Sequence, residues 1–281
     1  MVLSVVILLI IIFLDAMYYC ARLENILPEI RQDPRYIFIE GNLKDEVLVK
    51  KILIEYGITH VIHFAAQSHV QRSFDNILGT HILIEACRKY VPGLVKFIHV
   101  STDEVYGESM NTTEEQCKTE KSILCPTNPY AATKAGAELL VQAYAHSYKM
   151  PMIITRGNNV YGPNQYPEKV IPCFIEQLKR GEKVTIQGDG SAVRGFLHAE
   201  DTAEAFACIL EKGQIGEIYN IGSGNQRTIK EICGTEDYTD WITYIPDRPF
   251  NDQRYYISNE KLKALGWSVK IDFLTGLKAL V

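Results

Sequence analysis

The 281 residues are 47% apolar and 22% charged, with a formal charge of −5. This suits one large globular domain, or one domain with a smaller lobe, and it excludes the basic field that nucleic-acid binding needs. Seven scattered cysteines without a C-x-x-C pair read as free thiols in a reducing compartment, not as a disulfide framework or zinc site.

Val2 to Leu14 is apolar apart from Ser4. It is too short for a usual membrane span, so no membrane partner is expected. As a targeting segment it lacks a preceding Lys or Arg and a clear cleavage site. The reading taken is a buried parallel strand, Ile10 to Leu14, ending at Asp15. An acid at a strand end suits the ribose of a dinucleotide, although such residues also cap turns. The glycine-rich turn that usually lies about 20 residues before such an acid has no counterpart in the fourteen residues before Asp15.

Tyr36 to Ile39 reads as the next strand, followed by Gly41 and Asn42. Asp45 to Tyr56 has helical periodicity, and His60 to Phe64 is a strand that runs into Ala65, Ala66, Gln67 and Ser68. Small residues there let a flat cofactor approach the backbone, and a close strand–helix turn predicts the same alanines. Asn76 to Tyr90 reads as a helix and Val95 to Ser101 as a strand. Alternating strands and helices predict an α/β fold with a doubly wound parallel sheet.

The strand at Val95 leads into Ser101-Thr-Asp-Glu-Val-Tyr-Gly107. After a polar loop from Thr112 to Pro126, Asn128-Pro129 opens a helix to Tyr148 that carries Tyr130 and Lys134 four residues apart, on one face. An ammonium beside a phenol favours the phenolate, which can take a proton from an alcohol. Thr102 adds a hydroxyl, and Asp103 and Glu104 add two carboxyls, more than a plain alcohol oxidation needs. Met152 to Thr155 is a strand, Arg156 to Pro163 a turn-rich segment, and Val170 to Lys179 a helix. Gly188-Asp-Gly190 reads as a turn, Asp201 to Glu211 as a helix and Glu217 to Ile221 as a strand. His63, His69, His99 and His198 have no ligand spacing, so no metal is expected.

Thr102-Asp103-Glu104 before Val105-Tyr106-Gly107, with Tyr130-x-x-x-Lys134, resembles the nucleotide-sugar 4,6-dehydratases of the extended short-chain dehydrogenase/reductase superfamily. So do Pro126 to Glu138, Gly157 to Lys169, Gly188 to Arg194 and Asp247 to Arg254. The resemblance runs from Ile11 onward. It implies a Rossmann-like core at 10–160 that binds NAD, and a smaller C-terminal lobe, mainly 161–281, that binds substrate. Segments near 185–225 are expected to return to the core. Measured against that family, the first βα unit and its glycine turn are missing, a helical stretch between Phe74 and Asp75 is absent, and the helix after Cys233 is shortened.

The implied reaction is dehydration of dTDP-glucose to its 4-keto-6-deoxy product, with UDP-glucose as the alternative substrate and an inactive relative as the alternative identity. The implied catalytic set is Thr102, Asp103, Glu104, Tyr130 and Lys134. Asp15, Asn42, Ala65, Ala66 and Gln67, with Tyr130 and Lys134, are implied for the cofactor. Ser68, Asn159, Lys169, Arg194, Asn220 and Arg248 are implied for the nucleotide sugar. A cytoplasmic homodimer is implied too, weakened by the gap after Phe74.

Overall fold

The computed structural model describes residues 10–67, 73–109, 117–232, 240–247 and 252–281. The apolar run before Asp15 forms strand β1 (Ile11–Asp15), as its β-branched and aromatic residues favour. Helix α1 (Pro28–Arg31) follows, with proline in its first turn. Strand β2 (Tyr36–Glu40) then pairs in parallel with β1, Asp15 opposite Glu40. The rest of the N-terminal apolar stretch lies outside the described residues. Asp45 caps helix α2 (Glu46–Glu55) by accepting the Leu48 N–H at 3.0 Å.

There follow β3 (His60–His63), α3 (Asp75–Tyr90), β4 (Lys96–Thr102), α4 (Pro129–Tyr148), β5 (Met152–Gly157), β6 (Asn159–Tyr161), α5 (Val170–Lys179), β7 (Val184–Gln187), β8 (Val193–His198), α6 (Ala199–Lys212), β9 (Ile218–Ile221), β10 (Gln226–Thr228), α7 (Ile229–Ile232), β11 (Ile242–Ile245), α8 (Glu260–Lys263) and α9 (Phe273–Lys278). The segment read as turn-rich differs. Arg156 and Gly157 extend β5, and Asn159 to Tyr161 pair with β8 as β6, because partners distant in sequence supply the ladder.

Strands β3, β4, β5 and β9 form a parallel sheet in that order. Burial along β4 is nearly unbroken because helices cover both faces. Phe97 packs with Leu83, Ile84 and Val141 of α3 and α4, whereas Ile98 packs with Phe206 and Ile209 of α6. Lys96 anchors α6 to the sheet: its Nζ donates to the carbonyls of Ile209, Leu210 and Gly213 at 3.3, 2.6 and 3.2 Å, where a helix end lacks partners. The fold is therefore α/β, with a parallel sheet between helical layers, as expected.

A separate apolar cluster lies beyond this sheet. Tyr161, Ile171, Phe174, Ile186, Phe196 and Phe273 form it, drawn from β6, α5, β7, β8 and α9. The chain returns to the main sheet through α6 and β9. No helix among the described residues is long and apolar enough to cross a membrane. The parallel strands set Thr102, Gly157 and Ile221 in register along one carboxyl rim, the edge where open α/β sheets bind ligands.

Candidate active site

Strand β4 ends at Thr102, and Asp103 to Tyr106 form one 3-10 turn. Thr102 Oγ1 accepts the Glu104 N–H at 3.4 Å and so caps that turn. Buried Val105 and Tyr106 root it in the core. Gly107 closes it at φ 74°, and a Cβ there would lie 2.1 Å from the Cys125 carbonyl oxygen. Only glycine fits both demands. The Thr-Asp-Glu run thus reaches the rim on a short turn fixed at both ends.

Each carboxyl is held by one asparagine. Asn158 Nδ2 donates to Asp103 Oδ2 at 2.6 Å, and Asn128 Nδ2 donates to Glu104 Oε2 at 2.9 Å. Thr102 Oγ1 lies 3.3 Å from Asp103 Oδ1. Burial, then the neighbouring Glu104 charge, pushes Asp103 up to about 7. Burial also raises Glu104, against the hydrogen bond from Asn128.

Tyr130 and Lys134 occupy the first turns of α4, positioned by its cap: Asn128 Oδ1 accepts the Ala131 N–H at 2.8 Å. Lys134 is buried, and its Nζ donates to the Val100 carbonyl at 2.5 Å. Burial brings its ammonium down to about 8. The phenol of Tyr130 behaves otherwise than the sequence suggests. It is raised above its ordinary value, by burial first and then by the charges of Glu104 and Asp103. The two carboxyls add to the effect of burial.

A cavity of about 1020 Å³ opens here. Thr102, Asp103, Glu104, Tyr130, Asn159, Lys169 and Arg194 all line it. Arg194 Nη1 donates to the carbonyls of Val193 and Gln253 at 2.9 and 3.2 Å, and its Nη2 donates to that of Asp252 at 2.6 Å. Asn220 is not in the lining. It is fully buried, with its amide bonded to the Tyr106 hydroxyl and the Lys118 carbonyl. Ser68 and Arg248 lie outside the described residues.

The cofactor candidates stand at neighbouring strand ends. Asp15 closes β1 and accepts the Met17 N–H at 2.7 Å through Oδ1. Asn42, just beyond β2, donates to the Tyr18 hydroxyl at 2.6 Å. Ala65 and Ala66 are exposed beyond β3, and Gln67 is pinned by Asn76, whose Oδ1 accepts its N–H at 2.6 Å. A carboxylate for ribose hydroxyls, a pair of small exposed residues and a buried ammonium fit a nicotinamide dinucleotide.

Sequence reasoning missed four polar groups around the carboxyls: Asn128, Asn158, Asp252 and Tyr255. Asp252 accepts from Thr127 at 2.7 Å and from Asn128 at 3.3 Å, and also from the Tyr255 hydroxyl. Asn128, Asn158 and Asp252 stood inside three of the family-like segments, which was the available signal, and Tyr255 lies one residue past the last of them.

The GDP-mannose 4,6 dehydratase family model matches residues 5–280. The chain is similar to the trifunctional UDP-glucose 4,6-dehydratase/UDP-4-keto-6-deoxy-D-glucose 3,5-epimerase/UDP-4-keto-L-rhamnose-reductase of Arabidopsis thaliana, at 49% identity over 95% of this chain. It spans only 42% of the length of that plant protein. It is 44% identical to the dTDP-D-glucose 4,6-dehydratase of Mus musculus, over 96% of this chain and 80% of that one. Its fold superposes on the crystal structure of dTDP-glucose 4,6-dehydratase from Bacillus anthracis in complex with NAD, with a TM-score of 0.87 and 37% identity, over 95% of this chain and 85% of that one.

Proposed function

Because the chain belongs to the GDP-mannose 4,6 dehydratase family, within the extended short-chain dehydrogenase/reductases, we propose that it dehydrates dTDP-glucose to dTDP-4-keto-6-deoxyglucose with NAD as cofactor. The observation that carries this reading is the pair Asp103 and Glu104. Two adjacent carboxyls, Asp103 buried and Glu104 half-buried, both raised, line one cavity with Tyr130. Oxidising an alcohol needs no such pair, whereas removing water across two carbons needs a base and an acid.

Held along Asp15, Asn42, Ala65, Ala66 and Gln67 and beside Tyr130 and Lys134, NAD+ would supply the hydride acceptor for C4 of the sugar and the hydride source for C6. Tyr130 takes the proton of the 4-hydroxyl, and Thr102 bonds to the same oxygen. The 4-keto group acidifies C5–H, and Glu104 takes that proton. Asp103 gives its proton to the 6-hydroxyl, which leaves as water. With Asp103 pushed up to about 7, much of it carries the proton it must deliver near neutral pH. A neutral Asp103 also eases the ionisation of Tyr130, since its charge is one of those that oppose it.

Asp15 is assigned to the adenosine ribose, where a carboxylate favours NAD over its 2′-phosphate form, with Asn42, Ala65, Ala66 and Gln67 along the dinucleotide and Lys134 beside Tyr130. The core at 10–160 would carry these, and the lobe, mainly 161–281, would share the sugar nucleotide with the core's carboxyl rim. Lys169, Arg194 and Asn159 suit its phosphates and sugar, with Ser68 and Arg248 completing the set. Asn220, with its amide taken up by Tyr106 and Lys118, is assigned to holding the motif rather than the substrate. A cytoplasmic homodimer fits the exposed Leu139 and Ile123 and the exposed Phe74 and Leu78, and sedimentation tests it.

UDP-glucose is a second reading, favoured by the 49% identity to the plant protein. Purified chain given NAD and either sugar nucleotide should form the 4-keto product. Asp103→Asn should keep hydride abstraction and lose dehydration. No bound NAD and no product from either sugar would sink the proposal.

A further inference from the structure

Asn158 follows the last residue of β5, and its N–H donates to the Ile221 carbonyl at 3.0 Å. Its side chain spans two partners. Oδ1 accepts the Ser223 N–H at 3.1 Å, and Nδ2 donates to Asp103 Oδ2 at 2.6 Å. A backbone N–H can only donate, so the amide oxygen must face Ser223 and the NH2 must face Asp103. Two glycines make room for this side chain. At Gly195 a Cβ would stand 2.6 Å from Asn158 Oδ1, and its three nearest atoms all belong to Asn158. At Gly222 a Cβ would stand 3.0 Å from the same oxygen. Strand β8 and the residues after β9 thus both leave space for one amide.

We propose that Asn158 is a positioning residue for dehydration: by filling Asp103 Oδ2 with an N–H donor, it leaves Oδ1 as the oxygen that carries and delivers the acid proton. This rests on the function proposed above. An amide N–H cannot accept, so a proton on Oδ2 would face a donor. On Oδ1 it faces the Thr102 hydroxyl, 3.3 Å away, which donates to the carboxylate and, unlike an amide N–H, can turn to accept from the protonated acid. When the C6–O bond breaks, the Oδ1 proton passes to the departing oxygen, water leaves and Asp103 becomes a carboxylate. The Asn158 hydrogen bond is stronger to that carboxylate than to the neutral acid. It therefore stabilises the step more than the ground state.

The test uses the full chain with ¹³C-labelled aspartate, Asp103 being assigned by Asp103→Asn. In Asn158→Ala the Asp103 resonance should titrate at higher pH by about one pH unit, because a donor to the carboxylate is gone. With NAD and dTDP-glucose or UDP-glucose, turnover should fall by about 10- to 100-fold while reduced cofactor accumulates, since hydride abstraction precedes the affected step. The alkaline limb of the pH profile should move up with the titration. Gly195→Ala, which meets Asn158 first, should reproduce these effects in the wild type and add nothing in Asn158→Ala. An unmoved Asp103 titration, or a Gly195→Ala effect that persists without Asn158, overturns the proposal. If neither sugar is turned over, the function falls, and the titration and the glycine cycle still decide the role of Asn158.

Discussion

Glu138 and Arg156 meet in an ion pair, 2.7 Å at its shortest, with side chains 0% and 2% exposed. Glu138 lies one helical turn after Lys134. Arg156 also donates to the Tyr106 hydroxyl at 2.8 Å, and Tyr106 donates to Asn220 at 2.7 Å. One buried network therefore ties α4, β5, the Asp103 turn and β9 together, and sets Tyr130 against the carboxyls.

Glu138→Ala leaves that guanidinium buried and unpaired, so the variant should lose about 3–5 kcal/mol of stability. Urea unfolding measures it. A loss under about 1 kcal/mol would mean that the network holds nothing together.

Asp103→Asn should be more stable than the wild type above pH 7. Asp103 is raised from 3.8 to about 7 in the fold. Its favourable contribution is complete below pH 3.8 and is lost as pH rises through 7. The neutral amide escapes that loss, which grows by about 1.4 kcal/mol per pH unit across the window. Unfolding curves at pH 4 and pH 8 should show a small gap at the lower pH and a gap of several kcal/mol at the higher. An equal gap at both would contradict the burial of this acid.

His63 works in the opposite sense. Burial, then the Lys134 charge, lowers it from 6.5 to about 3. The unfolded chain binds more protons in that window, so stability falls as pH drops below 6.5. His63→Gln removes the group. Its stability relative to the wild type should rise by about 1.4 kcal/mol for each pH unit below 6.5. Thermal melts at pH 7 and pH 5 on both chains provide the comparison, and parallel melting shifts would refute it.

Asn128 has two tasks that one substitution separates. As the cap of α4 it is replaceable by serine within a few tenths of a kcal/mol. As the donor to Glu104 it is not, because serine carries no amide and its hydroxyl is one atom shorter than the Asn128 Nδ2 that reaches Glu104. Asn128→Ser should therefore fold normally and raise the Glu104 carboxyl, which that donor lowers. Glu104 acts as a base, so the acidic limb of the turnover profile should move to higher pH. An unmoved limb would free Glu104 from that role.

The parts of the site that sequence made legible are local. Asn128-Pro129 announced the start of α4, and the spacing of Tyr130 and Lys134 followed from helical geometry. The apolar run before Thr102 announced β4. What stayed hidden depends on distant partners. Strands β6, β8 and β10 are short and have no period of their own, and they exist because they pair with one another. The rise of Tyr130 comes from its burial first and then from carboxyls in another element. Asn220 looked available to substrate, yet Tyr106 and Lys118 take up its amide. Asn158 read as one amide among several in a turn, and only the ladder to Ile221 and the space at Gly195 single it out.

Among the described residues, β1 and β2 ladder only with each other, and β3 ladders only with β4. Backbone amides of β1 and β2 thus lack the protection that β4 has on both edges. In deuterated water the pair should open as a local unit, at lower free energy than the sheet that holds Thr102. Asp15, the residue assigned to the adenosine ribose, sits on the unit that opens first, and the acid, the base and the tyrosine sit outside it. A dinucleotide that clamps Asp15 would then register as slowed exchange in β1 and β2, a reading of occupancy that needs no sugar and no turnover.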